Sequence, residues 1–169
     1  VQLSADRKLL HGPVSDLHGY RYFGSKVLSV ANGVVVGLQD GLPEQTPPNF
    51  PANATAQTAG GNYLVINIGH RHFAFYAHLQ PHSLRVRVGE HVTQGQVIGR
   101  LGNTGNSDAP HLHFHIMNGP GPLSSDGLPF EFRSFVSQGT ITSPVDDLLT
   151  GKPATIGSAS RGQHHRELP

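Results

Sequence analysis

The sequence predicts an all-β protein of one domain. Charged residues make up only 14% of the chain, whereas its 169 residues include 21 Gly and 13 Pro. This composition favours short strands and frequent turns over long helices. A mass of 18.1 kDa is enough for one domain with its own hydrophobic core, but it is too small for two domains of typical size. We therefore expect a single all-β domain with irregular ends.

The first strands are predicted to form a β-hairpin. Two apolar runs, residues 27–31 and residues 34–37, flank Asn32 and Gly33, and Asn-Gly is a frequent two-residue hairpin turn. Residues 39–61 follow, rich in Gly and Pro and poor in apolar side chains. We predict a long surface loop there, of the kind that often forms a lid or a cleft wall.

Four further stretches of strand are predicted in the middle of the chain. Residues 63–68 and 73–79 are rich in β-branched and aromatic residues, which places His78 at a strand end. Residues 86–105 combine apolar residues with glycines at short intervals, a pattern typical of short strands with tight corners. Residues 111–116 alternate strictly between His and apolar residues, which predicts a strand with two unlike faces.

The C-terminal part is predicted to be mostly irregular. One strand is expected at residues 130–135, and a disordered tail beyond about residue 150, where large apolar residues are nearly absent. We therefore divide the chain into an N-terminal irregular segment of the domain (1–23), a core (24–137) and a C-terminal extension (138–169).

Composition and charge argue against several classes of function. The formal net charge is +1, from 12 Lys and Arg against 11 Asp and Glu. This balance does not indicate binding to nucleic acid or to an acidic membrane surface. No stretch approaches the roughly 20 apolar residues of a membrane helix, and the N-terminus has no secretory leader pattern. Without Cys, a metal site must use His, Asp or Glu. Because the chain begins at Val1 and its only Met is Met117, we expect a processed or truncated product.

The strongest chemical signal is the alternating His strand. Strand side chains rise about 3.3 Å per residue, so His111, His113 and His115 should share one face about 6.6 Å apart, while the apolar residues between them face the core. If one ring binds a metal, its neighbour can reach a water held on the same ion. The alternative is a polar strand face exposed to solvent, and the pattern alone does not decide between the two.

Further blocks of sequence make the whole resemble a known family. The run from Tyr76 to Leu79, the Gly-punctuated run 88–105 and the run from His111 to Phe114 occur in the order and spacing of M23 peptidases of the LytM/lysostaphin type. The resemblance covers roughly residues 24–117. It implies an antiparallel β-sandwich or half-barrel of the duplicated hybrid motif type, similar in its corners to biotinyl and lipoyl domains.

The resemblance also implies an activity and its residues. It makes His113 a ligand of Zn²⁺, and His78 and His111 the pair that positions or deprotonates the attacking water and stabilises the oxyanion. Zinc lowers the pKa of bound water toward about 7 and polarises the scissile carbonyl, and imidazole can accept a proton at neutral pH. The implied substrate is a peptide or a peptidoglycan cross-link, acted on outside the cytoplasm. His115 is a candidate for orienting a ligand.

The chain departs from the family in the upstream half of the metal site. Family members supply two more ligands from an H-x-x-x-D block, whereas the nearest match here, His11 to Asp16, is one residue longer. One imidazole cannot hold a catalytic zinc ion. Either His11 and Asp16 substitute for the missing ligands, or those ligands precede Val1. We prefer the second explanation, which leaves Asp16 and His18 in a surface loop and the zinc site incomplete in this chain.

Two alternatives to a peptidase remain open. The Gly-punctuated run also resembles carrier domains that present a modifiable Lys at a hairpin tip, but Lys8, Lys26 and Lys152 lie in no such turn. A non-catalytic M23-like scaffold that binds a cell-wall peptide or a partner protein would fit the incomplete ligand set. For the peptidase we expect an open cleft between loops 39–61 and 102–110.

Two asparagines of the second loop are further candidates. Asn103 and Asn106 could line the cleft floor, although Asn more often serves to form a turn.

Overall fold

The regular secondary structure of the described residues is almost entirely antiparallel β-strand, so the predicted all-β class is confirmed. The computed structural model describes residues 5–132, 140–150 and 152–157. The strands are β1 (Lys26–Leu28), β2 (Gly33–Gln39), β3 (Asn62–Asn67), β4 (Phe73–Leu79), β5 (His91–Val92), β6 (Val97–Arg100), β7 (His113–Met117) and β8 (Gly127–Leu128). A 3-10 helix at Leu17–Gly19 and the helix α1 (Val145–Leu149) complete the described elements. Over these ranges no helix has the length and apolar character needed to cross a bilayer.

The strands form two sheets. Six strands pair in the order β5-β2-β3-β4-β7-β8, and β1 pairs with β6 in a separate two-stranded sheet. Strands β3 and β4, which match the strands predicted at residues 63–68 and 73–79, pair with each other, with Asn67 opposite Phe73. Strand β4 is therefore interior, with β3 on one side and β7 on the other.

The hairpin predicted around Asn32 and Gly33 is wrong, although both strands exist. Strand β1 pairs with β6, and Gly33 at the start of β2 pairs with Val92 of β5. A tight Asn-Gly turn requires positive φ at both residues, and neither Asn32 nor Gly33 has it. Instead, a Cβ atom at Gly33 would lie 2.5 Å from the carbonyl oxygen of Asn67, so this glycine allows close packing of β2 on β3.

The main core lies on one face of the large sheet. Leu64, Ile66 and Tyr76 project from this face and pack with Val27 and Ile98 of the small sheet. All five are buried, and each large apolar side chain contributes about 1.5–3 kcal/mol by burial. A second, smaller cluster occupies the opposite face of the large sheet and includes Val65, Phe75, Ala77 and Met117. This second face carries the candidate site.

The C-terminal segment packs on the N-terminal one. Leu9 forms a small apolar cluster with Leu148 and Ala154, and the backbone N–H of Ala154 donates to the carbonyl of Arg7 at 2.7 Å. Residues 130–132 of the predicted strand 130–135 form no strand, and residues 133–135 lie outside the described residues.

The predicted disordered tail is described only in part. Within residues 152–157, Ile156 forms a β-bridge with Ile141. The prediction of disorder for residues 158–169 lies outside the described residues.

Candidate active site

A cleft of about 640 Å³ opens on the second face of the large sheet. Tyr63, Phe75 and Ala77 form its floor. One wall comes from residues 56–60 of the predicted loop 39–61 and is formed by Ala56, Gln57, Ala59 and Gly60. Asn106, from the predicted loop 102–110, also lines the cleft. The opposite wall, residues 121–124, was not anticipated from the sequence. His78, His113 and His115 also line this cleft.

The pairing of β4 with β7 brings two histidines to the cleft. Ala77 lies opposite His113, and Phe75 lies opposite His115, so these odd-numbered side chains share one face of the sheet. The His113 and His115 ring centroids are 5.2 Å apart, and the Phe75 ring contacts both. The predicted common face therefore exists for His113 and His115, while His111 lies just before the start of β7.

His78 reaches the cleft through a break in strand alternation. With regular alternation it would point to the same side as Tyr76, into the main core. Instead His78 has a φ of 61°, and the register of β3 and β4 shifts between Asn62 and Leu64. A left-handed residue other than Gly costs about 1–2 kcal/mol. Two hydrogen bonds hold this conformation: the backbone N–H donates to the carbonyl of Gly60 at 2.9 Å, and the ring bonds to Thr104.

The three histidines predicted to form the site lie together. The ring centroid of His78 is 4.5 Å from that of His111 and 5.8 Å from that of His113. His111 is held from outside the strand, with its Nδ1 atom 2.9 Å from the carbonyl oxygen of Ala109 and 3.2 Å from the hydroxyl of Ser107.

Hydrogen bonding fixes which ring nitrogens are protonated. The Nδ1 atom of His78 lies 2.7 Å from the carbonyl oxygen of Thr104. A carbonyl only accepts, so this Nδ1 carries the proton and Nε2 keeps a lone pair. The same reasoning applies to His111 and the carbonyl of Ala109. His113 and His115 share a hydrogen bond between Nε2 and Nδ1 at 3.1 Å.

Burial keeps the cleft imidazoles neutral. It lowers the pKa of His78 from its usual 6.5 to about 4, and the neighbouring His111 and His113 rings lower it further, against the effect of the Thr104 hydrogen bond. The pKa of His113 is lowered by burial of part of its ring and by His115 and His111. Burial also lowers the pKa of His115. At neutral pH these rings therefore offer lone pairs to a proton or a cation.

Buried polar residues behind the cleft were missed by the sequence analysis. The Thr104 hydroxyl accepts from the backbone N–H of Asn62 and donates to the carbonyl of Leu79, both at 2.9 Å. Asn103 is not at the cleft floor: it is fully buried and accepts a hydrogen bond from Ser107 at 2.6 Å. No sequence signal links Thr104 to His78, because their contact spans 26 positions.

Comparison with known protein families agrees with this arrangement. Residues 18–125, well over half of the chain, match the model of Peptidase family M23. The chain belongs to this family. The M23 membership predicted from the sequence blocks is thus confirmed.

Several relatives of this M23 chain are named as peptidases. Peptidoglycan DD-endopeptidase ShyC of Vibrio cholerae is 45% identical over 117 residues, which cover 69% of this chain and 24% of that protein. Lysostaphin of Staphylococcus simulans is 34% identical over 122 residues, covering 66% and 24% respectively. The solved catalytic domain of lysostaphin has a TM-score of 0.44 and 26% identity, covering 71% of this chain and 84% of that one. The chain spans about a quarter of the length of the curated relatives.

The M23 family implies a zinc ion, and the described residues provide only some of the ligands that such an ion needs. Among residues 5–132, 140–150 and 152–157, no three His, Asp or Glu side chains form a group able to hold a metal ion. The cleft imidazoles have the right chemistry, being neutral nitrogen donors. A carboxylate ligand is missing from this group, so the described residues do not fit a complete zinc site.

The upstream candidates are engaged elsewhere. His11 Nε2 lies 3.4 Å from a carboxylate oxygen of Asp6. Asp16 accepts from the backbone N–H of His18 at the start of the 3-10 helix, and the His18 ring contacts Phe23. None of the three lines the cleft. The structure gives no support to the alternative in which His11 and Asp16 replace the family's upstream ligands.

Proposed function

We propose that this M23 domain is a zinc-dependent endopeptidase that cuts peptide bonds in peptidoglycan cross-links or other Gly-containing peptides, outside the cytoplasm. One observation carries the proposal: the ring centroid of His78 lies 4.5 Å from that of His111 and 5.8 Å from that of His113, at an open cleft lined by His78 and His113. Two of these rings are fixed with a lone pair on Nε2, as a proton acceptor requires.

The three residues have distinct proposed roles. His113 is the zinc ligand, and its partner His115 holds the ring in place through the shared hydrogen bond. Zinc, when bound, supplies the polarisation of the scissile carbonyl and the activation of a water. His78 and His111 accept a proton at Nε2 and, once protonated, can donate a hydrogen bond to a developing oxyanion. The described residues supply His113 alone of the family's ligand set, so we derive no catalytic step through the metal.

The shape of the cleft supports a peptide with small side chains. Ala56, Ala59 and Gly60 on one wall and Gly121 on the other leave room for a peptide backbone, above an aromatic floor of Tyr63 and Phe75. A relative named glycyl-glycine endopeptidase ALE-1, from Staphylococcus capitis, is 38% identical over 102 residues. A glycine-rich substrate is therefore included in the proposal.

The proposal is tested by metal content and hydrolysis measured together. The purified chain, and any longer form of the same protein, are incubated with one equivalent of zinc, desalted and analysed for bound metal. Cleavage of purified cross-linked peptidoglycan fragments and of pentaglycine is followed by mass spectrometry. We expect His113→Ala to abolish both metal retention and cleavage. His72→Ala, which changes an exposed residue in the turn between β3 and β4, should leave both intact.

The opposite results would contradict the proposed endopeptidase activity. Retention of no zinc and no cleavage by any form would rule out the proposed hydrolysis and leave the non-catalytic scaffold. Cleavage that survives His113→Ala would rule out the proposed zinc-dependent mechanism. The names of the relatives do not favour that scaffold.

A further inference from the structure

A glutamate of the long loop is joined to the segment behind the cleft. A carboxylate oxygen of Glu44, Oε2, accepts a hydrogen bond from the backbone N–H of Asn103, and Glu44 forms an antiparallel β-bridge with Thr104. Next to it, the backbone N–H of Gln45 donates to the carbonyl of Asn103, and the Asn103 side-chain amide donates to the carbonyl of Gln45, both at 2.9 Å. Residues 44–45 and 103–104 are thus held as one unit.

The Asn103-Thr104 segment in turn holds the imidazoles of His78 and His111. The carbonyl of Thr104 accepts from His78 at 2.7 Å. The side-chain oxygen of Asn103 accepts from Ser107 at 2.6 Å, and the Ser107 hydroxyl oxygen lies 3.2 Å from Nδ1 of His111. A displacement of this segment would therefore disturb both rings through separate hydrogen bonds.

The contact of Glu44 with Asn103 is kept at a cost in stability. The second carboxylate oxygen, Oε1, is buried and has no hydrogen-bond partner among the described residues. It lies against Gly102, where a Cβ atom would come within 2.7 Å of it. A buried acceptor without a partner destabilises the folded state. Glu44 nevertheless supplies the acceptor for the Asn103 N–H, which indicates that this contact has a role at the site.

We propose that Glu44 is a positioning residue, which acts through the Asn103-Thr104 segment to fix the orientation and the Nδ1-protonated form of His78 and His111. The inference rests on the proposed function, because it assigns to Glu44 the alignment of the two proton-transfer rings. Glu44 touches neither ring and does not line the cleft, so it acts only through the segment it holds.

Two substitutions separate the carboxylate's contact from its charge. Glu44→Ala removes the acceptor for the Asn103 N–H, whereas Glu44→Gln keeps an acceptor oxygen of the same reach. Gln45→Ala is the matched control: it changes the adjacent residue but leaves the backbone bonds of position 45 to Asn103. Folding of each variant is checked by its amide proton–nitrogen NMR spectrum.

The decisive readout is the imidazole nitrogen NMR spectrum of His78 and His111, which reports protonation at Nδ1 directly and needs no enzymatic activity. In Glu44→Ala we expect both rings to lose the pure Nδ1-protonated form, and kcat to fall about tenfold with KM changed by less than about twofold. Glu44→Gln and Gln45→Ala should keep the parent spectrum and kcat.

Each outcome tests the role of Glu44 independently of the proposed enzymatic activity. Ring spectra unchanged in a folded Glu44→Ala variant would overturn the role of Glu44, whatever the hydrolysis assay gives. Altered ring spectra would support it even if the parent protein cut nothing, in which case the proposed function alone would fail. Should Glu44→Ala not fold, Glu44→Asp withdraws the carboxylate by one methylene, and the same spectra decide.

Discussion

The His78 ring donates from Nδ1 to the backbone carbonyl of Thr104 at 2.7 Å, although the two residues are 26 positions apart. This bond turns the other ring nitrogen, Nε2, into the free acceptor, and it accompanies a left-handed backbone at His78. The side chain is 5% exposed, so its surroundings rather than solvent determine its protonation.

Removing the His78 ring should abolish proton transfer while leaving metal binding in place. In the active form of the protein we expect His78→Ala to lower kcat/KM about 10²–10⁴-fold, the usual contribution of a general acid or base. Steady-state hydrolysis and bound zinc are measured on the same preparation. His91→Ala on β5, an exposed histidine, is the control and should retain full activity. A loss of zinc from His78→Ala would instead make His78 a ligand.

Removing the His115 ring should weaken zinc binding without eliminating it. His115 shares a hydrogen bond with His113, and loss of such a supporting partner typically weakens metal affinity 10–100-fold. The dissociation constant is measured by competition with a coloured chelator, for His115→Ala beside His113→Ala. Equal affinities in the parent and His115→Ala would show that His115 has no part in holding the ligand.

Gly105 should tolerate no side chain. A Cβ atom there would lie 2.3 Å from the backbone nitrogen of Gly61, and φ is 76°. Gly95→Ala is the control for the backbone effect, since Gly95 has a φ of 83° and open space around it. We expect Gly95→Ala to cost about 1–2 kcal/mol in the free energy of unfolding, and Gly105→Ala at least about 2 kcal/mol more, because the two loops must separate. Urea denaturation measures both; equal losses would contradict the close approach.

The stability of the protein should respond to pH through Glu44. Burial raises the pKa of Glu44 from 4.5 to about 7, against the lowering effect of the Asn103 hydrogen bond. Between these values the folded state binds more protons than the unfolded state, so this contribution is fully present below about pH 4.5 and is lost as the pH rises through about 7. Gln resembles the neutral acid at every pH.

The difference between Glu44→Gln and the parent isolates that effect. We expect the Tm of Glu44→Gln relative to the parent to be higher at pH 8 than at pH 5. The depressed pKa of His78, which makes stability rise with pH between about 4 and 6.5, is common to both proteins and cancels. Thermal unfolding at the two pH values measures the difference; a constant difference would mean that Glu44 titrates normally.

The strands that carry the site could be predicted because their signals are local. The alternation of residues 113–117 and the apolar run of β4 specify two strands, and the odd residues of each share one face. The arrival of His78 in the cleft could not be predicted in this way, because alternation alone sends it to the core. Its position depends on a φ of 61° and on the hydrogen bond that its ring donates to the carbonyl of Thr104, neither of which leaves a pattern in the sequence.

The wrong prediction of a hairpin at Asn32 and Gly33 has the same cause, because strand pairing between distant residues leaves no local pattern in the sequence. Asn-Gly is a turn signal only when the strands on either side pair with each other, and here β1 finds β6 instead. The contact of Glu44 with Asn103 joins residues 59 positions apart across two irregular loops. Loops carry no periodicity, so contacts between them are visible only in the folded chain.

Because β4 is paired along both of its edges, its backbone has no free edge to offer a ligand. A peptide cannot extend the sheet at β4, as ligands do in proteins that bind by strand addition. Under the proposed function, the peptide would instead lie across the open face above Phe75 and Ala77, with hydrogen-bond partners for its amides in the cleft walls around residues 56–60 and 121–124. Under the proposed function, differences between relatives in those two walls would change which bond is cut while the sheet stays the same.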